Sequence, residues 1–313
     1  MMGMLDTIII GAGPAGMTAA IYAKRKGMSL ALVSDSIGGN MSYSGNIENY
    51  PGFEAISGLD LTRKMRAQME RLNIEPAVDR VIGVERTVGG YRVSTKGGRT
   101  FEAHTVIIAS GSHWREIGVP GEKEYVSKGV SYCTTCDAPL FAGMDVVVVG
   151  GGNAAAEAVM ELARICPKVY MIVRSRLKCD QVLAVRITGT GKVTVLEGYT
   201  VERISGKDFV ESITVRSREG KVETLPAGGV FVEIGQEANT EFLKGLVKTN
   251  DRGEIMVDDY CRTSLDGVFA CGDVTSVPQK QVVVAAGEGA KAAMSAFAYV
   301  SDVKEGEAPS CTL

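Results

Sequence analysis

The chain has 313 residues, of which 45% are hydrophobic and 23% charged, and its 34 basic and 37 acidic side chains give a net charge of −3. This composition describes a globular protein long enough for two domains. The chain lacks a Lys/Arg-rich block or a basic stripe, which argues against nucleic acid as a partner. The most apolar long stretch, residues 282–300, carries Glu288 and Lys291, which argues against a membrane span.

The N-terminal end of the sequence bears on the compartment. The first six residues are too few, and too soon followed by a strand pattern, to form a signal peptide. Seven cysteines, an odd number without a secretory signal, fit a reducing compartment in which most thiols are free. We therefore expect a cytoplasmic protein.

The first element is a strand, turn and helix of the dinucleotide-binding type. Residues 7–10 are apolar and predict a short buried strand, and the GAGPAG turn follows and opens an Ala-rich helix through Lys26. Gly11 permits the tight turn, Gly13 lets the backbone approach a pyrophosphate, and Gly16 lets helix and strand pack closely. The context makes this GxGxxG a prediction of a nucleotide site.

The chain then continues the same domain. A second strand, residues 30–33, ends close to Asp35, which is either a ribose-binding acid or a solvated turn carboxylate. Residues 38–53, GGNMSYSGNIENYPGF, are too rich in Gly, Asn and Ser for regular structure and too long for an idle turn, so we expect a binding loop. Residues 59–72 have helical spacing, and residues 80–101 predict a small antiparallel meander before a buried strand over 105–109.

The next feature is a loop in which two thiols and an acid sit together, at Cys133, Cys136 and Asp137. A two-residue spacer lets the sulfurs meet and part with little backbone movement, and a nearby carboxyl can deliver and take the proton of thiol–disulfide exchange. We interpret the CxxC as a redox-active disulfide. The same spacing serves half of a zinc site, but His104 and His113 form no ligand pair and the other cysteines are scattered singly.

The remaining cysteines are assigned smaller roles. Four are interpreted as buried or passive thiols, namely Cys166, Cys179, Cys261 and Cys271. Cys311, in the C-terminal tail, is either an accessory thiol or incidental.

A second strand, turn and helix follows the cysteine loop. Residues 145–149 form an apolar strand that runs into GGGNAA, a GxGxxA fingerprint with Gly150, Gly152 and Ala155 at its key positions. Two such units mean two dinucleotide sites, or one used site and one inherited fold.

The strand after the second fingerprint ends in basic residues. Residues 169–173 predict the strand, and Arg174, Arg176 and Lys178 follow where a 2′-phosphate would be held if the ligand were NADPH. A solvated basic turn explains them equally well.

The last third of the chain predicts a covering layer and a return to the first domain. Residues 190–234 alternate apolar and polar, most clearly over 190–196 and 209–215, as expected of antiparallel strands covering the second sheet. An apolar strand then ends in Gly-Asp, where Asp273 can accept a hydrogen bond from a polyol or ribose hydroxyl. Residues 278–281 precede a final helix whose N-terminus can sit against a flavin ring. This strand and helix complete the first domain, so the second is inserted in it.

Four motifs give the chain a resemblance to a known family. GAGPAG, GGN…ENYPGF, CTTCDAPLF followed by VVVVGGGNAAAEA, and GVFACGDV occur in the order found in the small flavin-dependent thioredoxin reductases, which the chain resembles over nearly its whole length. The resemblance implies an α/β fold with two Rossmann-like, three-layer nucleotide-binding domains. An FAD domain would comprise residues 1–113 and 246–313, and an NAD(P)H-type domain with the disulfide, residues 114–245, would be inserted in it.

The resemblance also implies how such a protein works. It would be a homodimer whose two domains rotate relative to each other. In one arrangement the disulfide lies against the flavin and is reduced, and in the other the dithiol is exposed to thioredoxin while the nicotinamide reaches the flavin.

Roles for individual residues follow from the same resemblance. Cys136 would face the flavin as the charge-transfer thiolate, Cys133 would attack the disulfide of the protein substrate, and Asp137 would be the general acid. FAD would be held by Gly11, Gly13, Gly16, Asn49, Asp273 and Gln281. Gly150, Gly152 and Ala155 would shape the second nucleotide site.

The sequence departs from the family at the site of the electron donor. NADPH-using members follow the strand with HRRxxxRA, whereas this chain has VRSRLKCD, in which only Arg174 aligns. Cys179 replaces the last arginine, and Asp180 adds a negative charge where a phosphate would lie. Losing a bidentate guanidinium–phosphate contact would weaken NADPH binding unless Arg176 or Lys178 substitutes. Relatives with degraded signatures take electrons from reduced ferredoxin or a reduced deazaflavin, so both kinds of donor stay open.

Two other functions are weighed against this interpretation. Ferredoxin-NADP reductases share the two-domain plan but lack the CxxC. A non-catalytic flavin-stabilised or zinc-stabilised interaction module would have kept the fold without reversible thiols. We predict an FAD-dependent thioredoxin-disulfide reductase that passes two electrons through Cys133 and Cys136 to thioredoxin or a similar small dithiol protein.

Overall fold

The computed structural model describes residues 4–305. The chain divides into two compact units: unit 1 comprises the residues up to His113 and those from Glu237 onward, and unit 2 comprises Trp114–Gln236. Unit 1 therefore resumes earlier than the predicted boundary at residue 246. The reason is that Ala238 and Leu243 are buried in a core cluster with strands of unit 1.

Residues 4–305 contain seventeen strands and six α-helices. The strands are β1 Leu5–Ala12, β2 Leu30–Ile37, β3 Ala77–Val78, β4 Val81–Thr87, β5 Gly90–Thr95, β6 Thr100–Ile108, β7 Ser112–Trp114, β8 Val130–Ser131, β9 Val146–Val149, β10 Val169–Val173, β11 Val193–Glu197, β12 Tyr199–Gly206, β13 Val210–Ser217, β14 Val222–Pro226, β15 Gly229–Val232, β16 Gln236–Ala238 and β17 Val268–Ala270. The helices are α1 Pro14–Arg25, α2 Gly58–Arg71, α3 Thr134–Asp137, α4 Asn153–Ile165, α5 Gln181–Gly189 and α6 Val282–Glu305.

Unit 1 is built on a seven-stranded sheet in the order β3-β2-β1-β6-β5-β4, with β17 also paired to β6. Strands β2, β1, β6 and β17 are parallel, while β4, β5 and β6 form an antiparallel meander. The meander is predicted correctly, but β6 runs without a break from it into the parallel sheet. Helices α1, α2 and α6 cover one face, where Met17, Met65 and Ala292 share a core cluster with Ile9 and Ile107.

Unit 2 is built on a parallel five-stranded sheet in the order β11-β10-β9-β15-β8. Helices α4 and α5 lie on one face, where Leu162 and Ile187 are buried with Met171. The antiparallel sheet β12-β13-β14 covers the other face through Ile204 and Ile213.

Two predictions for unit 2 are wrong in detail. The segment predicted as a covering antiparallel strand at 190–196 is instead β11, Val193–Glu197, which pairs in parallel with β10 at the edge of the main sheet. The alternation of apolar and polar residues in this segment does not show which strand it pairs with. A covering antiparallel strand and an edge strand of the main sheet would both leave one side half-buried. Helix α5 is absent from the prediction; it buries only Ile187, so the sequence carries a weak amphipathic pattern there.

The parallel strands bring the loops that follow them to one edge in each unit. In unit 1 the loops after β1, β6 and β17 meet at the carboxyl edge of the sheet. In unit 2 the loops after β8, β9, β10 and β15 do the same. Ligands of open α/β sheets bind at such edges. Among residues 4–305, no helix is both long enough and apolar enough to cross a bilayer.

Candidate functional site

The CxxC lies at the carboxyl edge of unit 2, directly after the edge strand β8. Cys133 and Cys136 form a disulfide with their Cα atoms 5.3 Å apart. The amide groups of Cys136 and Asp137 donate to the carbonyl oxygen of Cys133, at 3.2 and 3.1 Å. A single helical turn, α3, therefore fixes the spacing of the two sulfurs, and the Cys136 side of the pair is exposed.

Asp137 is held beside the disulfide by Ser131, which sequence reasoning missed. The Ser131 hydroxyl donates to Asp137 Oδ2 at 2.7 Å and accepts the amide N–H of Cys133 at 3.1 Å. Burial raises the pKa of Asp137 above its usual range, and the Ser131 hydrogen bond opposes the rise. A raised pKa favours the protonated form of a carboxyl group, which can then donate a proton to a neighbouring thiolate.

A second acid, Glu233, contacts the first residue of α3 from the neighbouring strand, and sequence reasoning missed it too. Its Oε1 accepts from the hydroxyl and the amide N–H of Thr134, at 2.7 and 3.3 Å. Burial raises the pKa of Glu233, and the two Thr134 hydrogen bonds lower it. The signal in the sequence is its position immediately after the apolar strand β15, at the edge where the other loops meet.

Tyr132, the residue before Cys133, is anchored by Glu122 and Trp114. The Tyr132 hydroxyl donates to Glu122 Oε1 at 2.9 Å, and its ring stacks on Trp114 with centroids 5.4 Å apart. Glu122 is buried and also accepts the amide groups of Ile117 and Gly118. This network fixes the backbone that leads into Cys133.

The second glycine turn packs against the strand that carries Glu233. A Cβ at Gly150 would lie 2.3 Å from the carbonyl oxygen of Glu233 and 2.8 Å from the Ala155 Cβ. Gly150 and the buried Ala155 are therefore required by packing. A Cβ at Gly152 would meet no atom within 4 Å, so the first turn of α4 is open on that side.

The basic loop after β10 folds back onto this glycine turn. The Lys178 amide donates to the Gly151 carbonyl at 2.7 Å. Asn153 and Asp180 exchange two hydrogen bonds, from Asn153 Nδ2 to Asp180 Oδ2 at 3.0 Å and from the Asp180 amide to Asn153 Oδ1 at 2.9 Å. Asp180 occupies the N-cap position of α5 without capping it, because its carboxylate is turned toward α4.

The basic side chains of that loop point to solvent. Arg174, Arg176 and Lys178 are exposed and form no ion pair within the described part of the chain. They lie after β10, next to the glycine turn that follows β9. This edge therefore combines three free cations with the carboxylate of Asp180.

In unit 1 the first glycine turn has the geometry of a phosphate cradle. Gly11 has φ +104°, and a Cβ there would lie 2.3 Å from the Ala109 carbonyl oxygen. A Cβ at Gly16 would lie 1.8 Å from the Gly11 carbonyl oxygen, so helix and turn pack backbone to backbone. Gly13, the N-cap of α1, would meet nothing, and no side chain caps the helix. Open N–H groups at a helix N-terminus suit an anion.

Three further predicted FAD residues lie in unit 1. Asn49 Nδ2 donates to Gln281 Oε1 at 3.1 Å, which joins the glycine-rich loop to the start of α6. Asp35 lies in β2, which extends beyond the predicted strand, and its carboxylate is exposed and accepts from Ser36 at 3.3 Å. The structure thus joins Asn49 to Gln281, while Asp35 stays at the strand end.

Asp273 follows β17 at the same edge, and its position is fixed from two sides. Its pKa is raised by burial, which Lys280 opposes. The amide of the preceding Gly272 donates to Glu288 Oε2 at 2.7 Å, and Lys280 Nζ donates to the Asp273 carbonyl at 3.2 Å. Lys280 is itself paired with Glu254 at 3.1 Å. Sequence reasoning missed Glu288, Lys280 and Glu254.

Four other cysteines of residues 4–305 are free thiols. Cys166, Cys261 and Cys271 are buried free thiols, and Cys179 is half-buried. Burial raises the pKa of Cys261 to about 12, which keeps it protonated. Cys311 lies outside the described residues. No cluster of three or more potential metal-ligating side chains occurs within residues 4–305.

Comparisons with known proteins place the chain among its relatives. The family described as Pyridine nucleotide-disulphide oxidoreductase matches residues 5–289. The thioredoxin reductase from Streptococcus pyogenes is 39% identical, with 96% of this chain and 99% of that one covered and a TM-score of 0.91. The thioredoxin reductase from Giardia duodenalis is 34% identical, with 93% and 97% covered and a TM-score of 0.88.

A second group of relatives is longer than this chain. The alkyl hydroperoxide reductase subunit designated F, from Staphylococcus aureus, is 37% identical over 298 residues, which is 94% of this chain. The counterpart from Escherichia coli is 37% identical over 306 residues, which is 96% of this chain. The chain spans 59% of the length of each of these relatives.

Proposed function

The chain belongs to the pyridine nucleotide-disulphide oxidoreductase family and, within it, to the thioredoxin reductases, and from this premise we propose that it reduces thioredoxin or a similar small dithiol protein. Two electrons would pass through FAD in unit 1 and the Cys133–Cys136 pair in unit 2. The observation that carries the proposal is the disulfide itself, closed on one helical turn with the half-buried acid Asp137 beside it.

The residues of unit 1 fit FAD. The backbones of Gly11 and Gly16 pack directly against neighbouring backbone atoms, while the space next to Gly13 is open. The approach of a pyrophosphate to a helix N-terminus requires this arrangement. The carboxylate of Asp273 makes no hydrogen bond within residues 4–305 and can accept one from a ribityl or ribose hydroxyl. When bound, FAD supplies the two electrons that reduce the disulfide.

The catalytic cycle would begin with reduction of the Cys133–Cys136 disulfide. Two electrons and two protons convert the disulfide to two thiols. The Cys133 thiolate attacks one sulfur of the partner's disulfide, the partner's S–S bond breaks, and a mixed disulfide forms. The Cys136 thiolate attacks Cys133 in turn, which restores the S–S bond and releases the reduced partner. Asp137, whose pKa is raised by burial, would donate a proton to the leaving thiolate.

Single replacements of the two cysteines test this proposal. Cys133→Ser and Cys136→Ser should each abolish reduction of a thioredoxin disulfide while the purified proteins keep their flavin absorbance. The matched control is Cys166→Ser, which removes a buried free thiol outside the site and should leave turnover unchanged. Retained thioredoxin reduction in either site variant would overturn the assignment.

A second candidate concerns the electron donor, and Asp180 is the observation that favours it. Its carboxylate is tied to Asn153 at the start of α4, where the pyrophosphate of a dinucleotide would bring negative charge. This favours reduced ferredoxin or a reduced deazaflavin over NADPH, whereas the exposed Arg174 and Arg176 favour NADPH. The two donors therefore remain alternatives within one reaction.

The donor is tested by reducing the bound flavin anaerobically with each candidate at equal concentration and following its absorbance. If Asp180 is what disfavours a nucleotide, Asp180→Asn keeps the Asn153 contact and should tighten NADPH binding about tenfold, equivalent to about 1.4 kcal/mol. If NADPH reduces the unaltered protein rapidly, the non-nicotinamide donor is wrong.

We also propose that the protein works as a homodimer in the cytoplasm. Three free thiols buried in its cores support a reducing compartment. Sedimentation of the flavin-loaded protein at micromolar concentration tests the assembly, and a monomer would contradict it.

A further inference from the structure

The acid Glu233 links the two features of unit 2 that matter most, the second glycine turn and the redox helix. Its backbone amide donates to the Val149 carbonyl at 2.8 Å, and its carbonyl oxygen is the atom that leaves no room for a side chain at Gly150. Its side chain reaches the other way, to the hydroxyl and amide of Thr134. Thr134 is 5% exposed and directly follows Cys133.

A neutral side chain would satisfy the same hydrogen bonds at lower cost. Both groups of Thr134 are donors, so the amide oxygen of a glutamine would accept them as well as a carboxylate. A carboxylate in this place must be desolvated, and burial raises its pKa accordingly. Glu161 on α4 adds to this cost because it raises the pKa of Glu233 further. The acid on α3 itself is Asp137. Replacing Glu233 by glutamine would therefore keep the contact with Thr134 and remove the charge, so the two contributions can be separated.

We propose that Glu233 is a positioning residue of the redox site. It holds Thr134, the first residue of α3, and its negative charge disfavours thiolate formation at the reduced Cys133–Cys136 pair. A thiolate is the reactive form of cysteine, and a nearby carboxylate destabilises it by like-charge repulsion. The reduced pair is then kept protonated until a partner or a proton acceptor is engaged. This inference rests on the proposed redox role of the pair.

The test measures how fast the reduced pair is alkylated as a function of pH. The flavin-loaded protein is reduced with dithiothreitol and desalted anaerobically. It is then treated with iodoacetamide between pH 5 and 10, and alkylation of Cys133 and Cys136 is quantified by mass spectrometry. In Glu233→Gln the midpoint of the rate profile should fall by about one pH unit. Near pH 7 the thiolate fraction then rises about tenfold, and since a more acidic thiolate is intrinsically less reactive, the rate rises about threefold.

Two further variants separate charge from structure. Glu233→Asp keeps the charge and shortens the reach to Thr134, so its midpoint should stay near that of the unaltered protein. Glu161→Gln removes a charge on α4 that does not contact Thr134 and should shift the midpoint less than Glu233→Gln. The inference is overturned if Glu233→Gln matches the unaltered profile, or if Glu161→Gln shifts it equally.

The outcome is separable from that of the proposed function. Alkylation requires neither the electron donor nor thioredoxin, so an unshifted profile in Glu233→Gln would reject this inference alone. Thioredoxin reduction by Cys133→Ser or Cys136→Ser would instead reject the redox role on which it rests.

Discussion

Ser131 is the residue whose removal reports most clearly on how Asp137 works. Its hydroxyl donates to Asp137 Oδ2 at 2.7 Å and lowers the pKa of that carboxyl against the effect of burial. A hydrogen bond to a charged group contributes about 1.5–3 kcal/mol. Since about 1.4 kcal/mol corresponds to one pH unit, Ser131→Ala should move the titration of Asp137 upward by about one pH unit or more.

The direction of the change in activity follows from the role of the acid. A general acid must be protonated, so the proposed step slows as pH rises through the pKa of Asp137. In Ser131→Ala the carboxyl stays protonated to higher pH, and the basic limb of the rate profile should move to higher pH by the same amount. The assay mixes the anaerobically reduced protein with oxidised thioredoxin and follows one turnover between pH 5 and 10.

The matched control for this prediction is Thr134→Val. This variant also removes a buried hydroxyl from the cysteine loop, but that hydroxyl donates to Glu233 and not to Asp137. The limb set by Asp137 should therefore stay in place. If Ser131→Ala leaves the basic limb unmoved, or if both variants move it equally, then Asp137 is not the acid and the reasoning fails.

Two predictions concern unit 1. Gly16→Ala would place a Cβ 1.8 Å from the Gly11 carbonyl oxygen and should lower both the unfolding midpoint and the flavin content, whereas Gly13→Ala meets no protein atom and should lower flavin affinity alone; equal thermal stability of the two variants would contradict this. Lys280→Met would leave the half-buried Glu254 carboxylate without the Lys280 ammonium and should cost about 1.5–3 kcal/mol of unfolding free energy at pH 7 in denaturant titrations. Burial raises the pKa of Glu254, but the hydrogen bonds from Asn250 and Lys280 lower it by more, so the folded pKa lies below the unfolded one. The stabilisation from the ion pair is therefore present above the unfolded pKa of Glu254. The difference between Lys280→Met and the unaltered protein should therefore shrink as pH falls below about 4, and a constant difference would contradict the assignment.

Much of the fold follows from short-range patterns. The two fingerprints predict β1 with α1 and β9 with α4, because glycine spacing and apolar runs are local properties of the sequence. The family was inferred from four motifs, and the matches to solved thioredoxin reductases confirm it. The edge strand β11 was misplaced because strand pairing is decided by distant residues, and α5 was missed because it buries a single side chain.

The redox site could be predicted only in part for the same reason. Cys133, Cys136 and Asp137 are neighbours in sequence and were found together. Glu233 lies 99 positions from Thr134, and nothing in its immediate sequence distinguishes it from other acids that follow a strand. The parallel pairing of β8 with β15 is what brings it to the start of α3.

The central claim is that Cys133 exchanges with the disulfide of a thioredoxin, and trapping the mixed disulfide tests it most directly. The probe is a thioredoxin variant that keeps one active-site thiol, activated as its thionitrobenzoate mixed disulfide. With Cys136→Ser, we expect release of one equivalent of thionitrobenzoate and a covalent adduct that mass spectrometry maps to Cys133, whereas Cys133→Ser should form much less adduct. Adduct formation by Cys133→Ser alone would reverse the two roles, and no adduct with either variant would contradict the account.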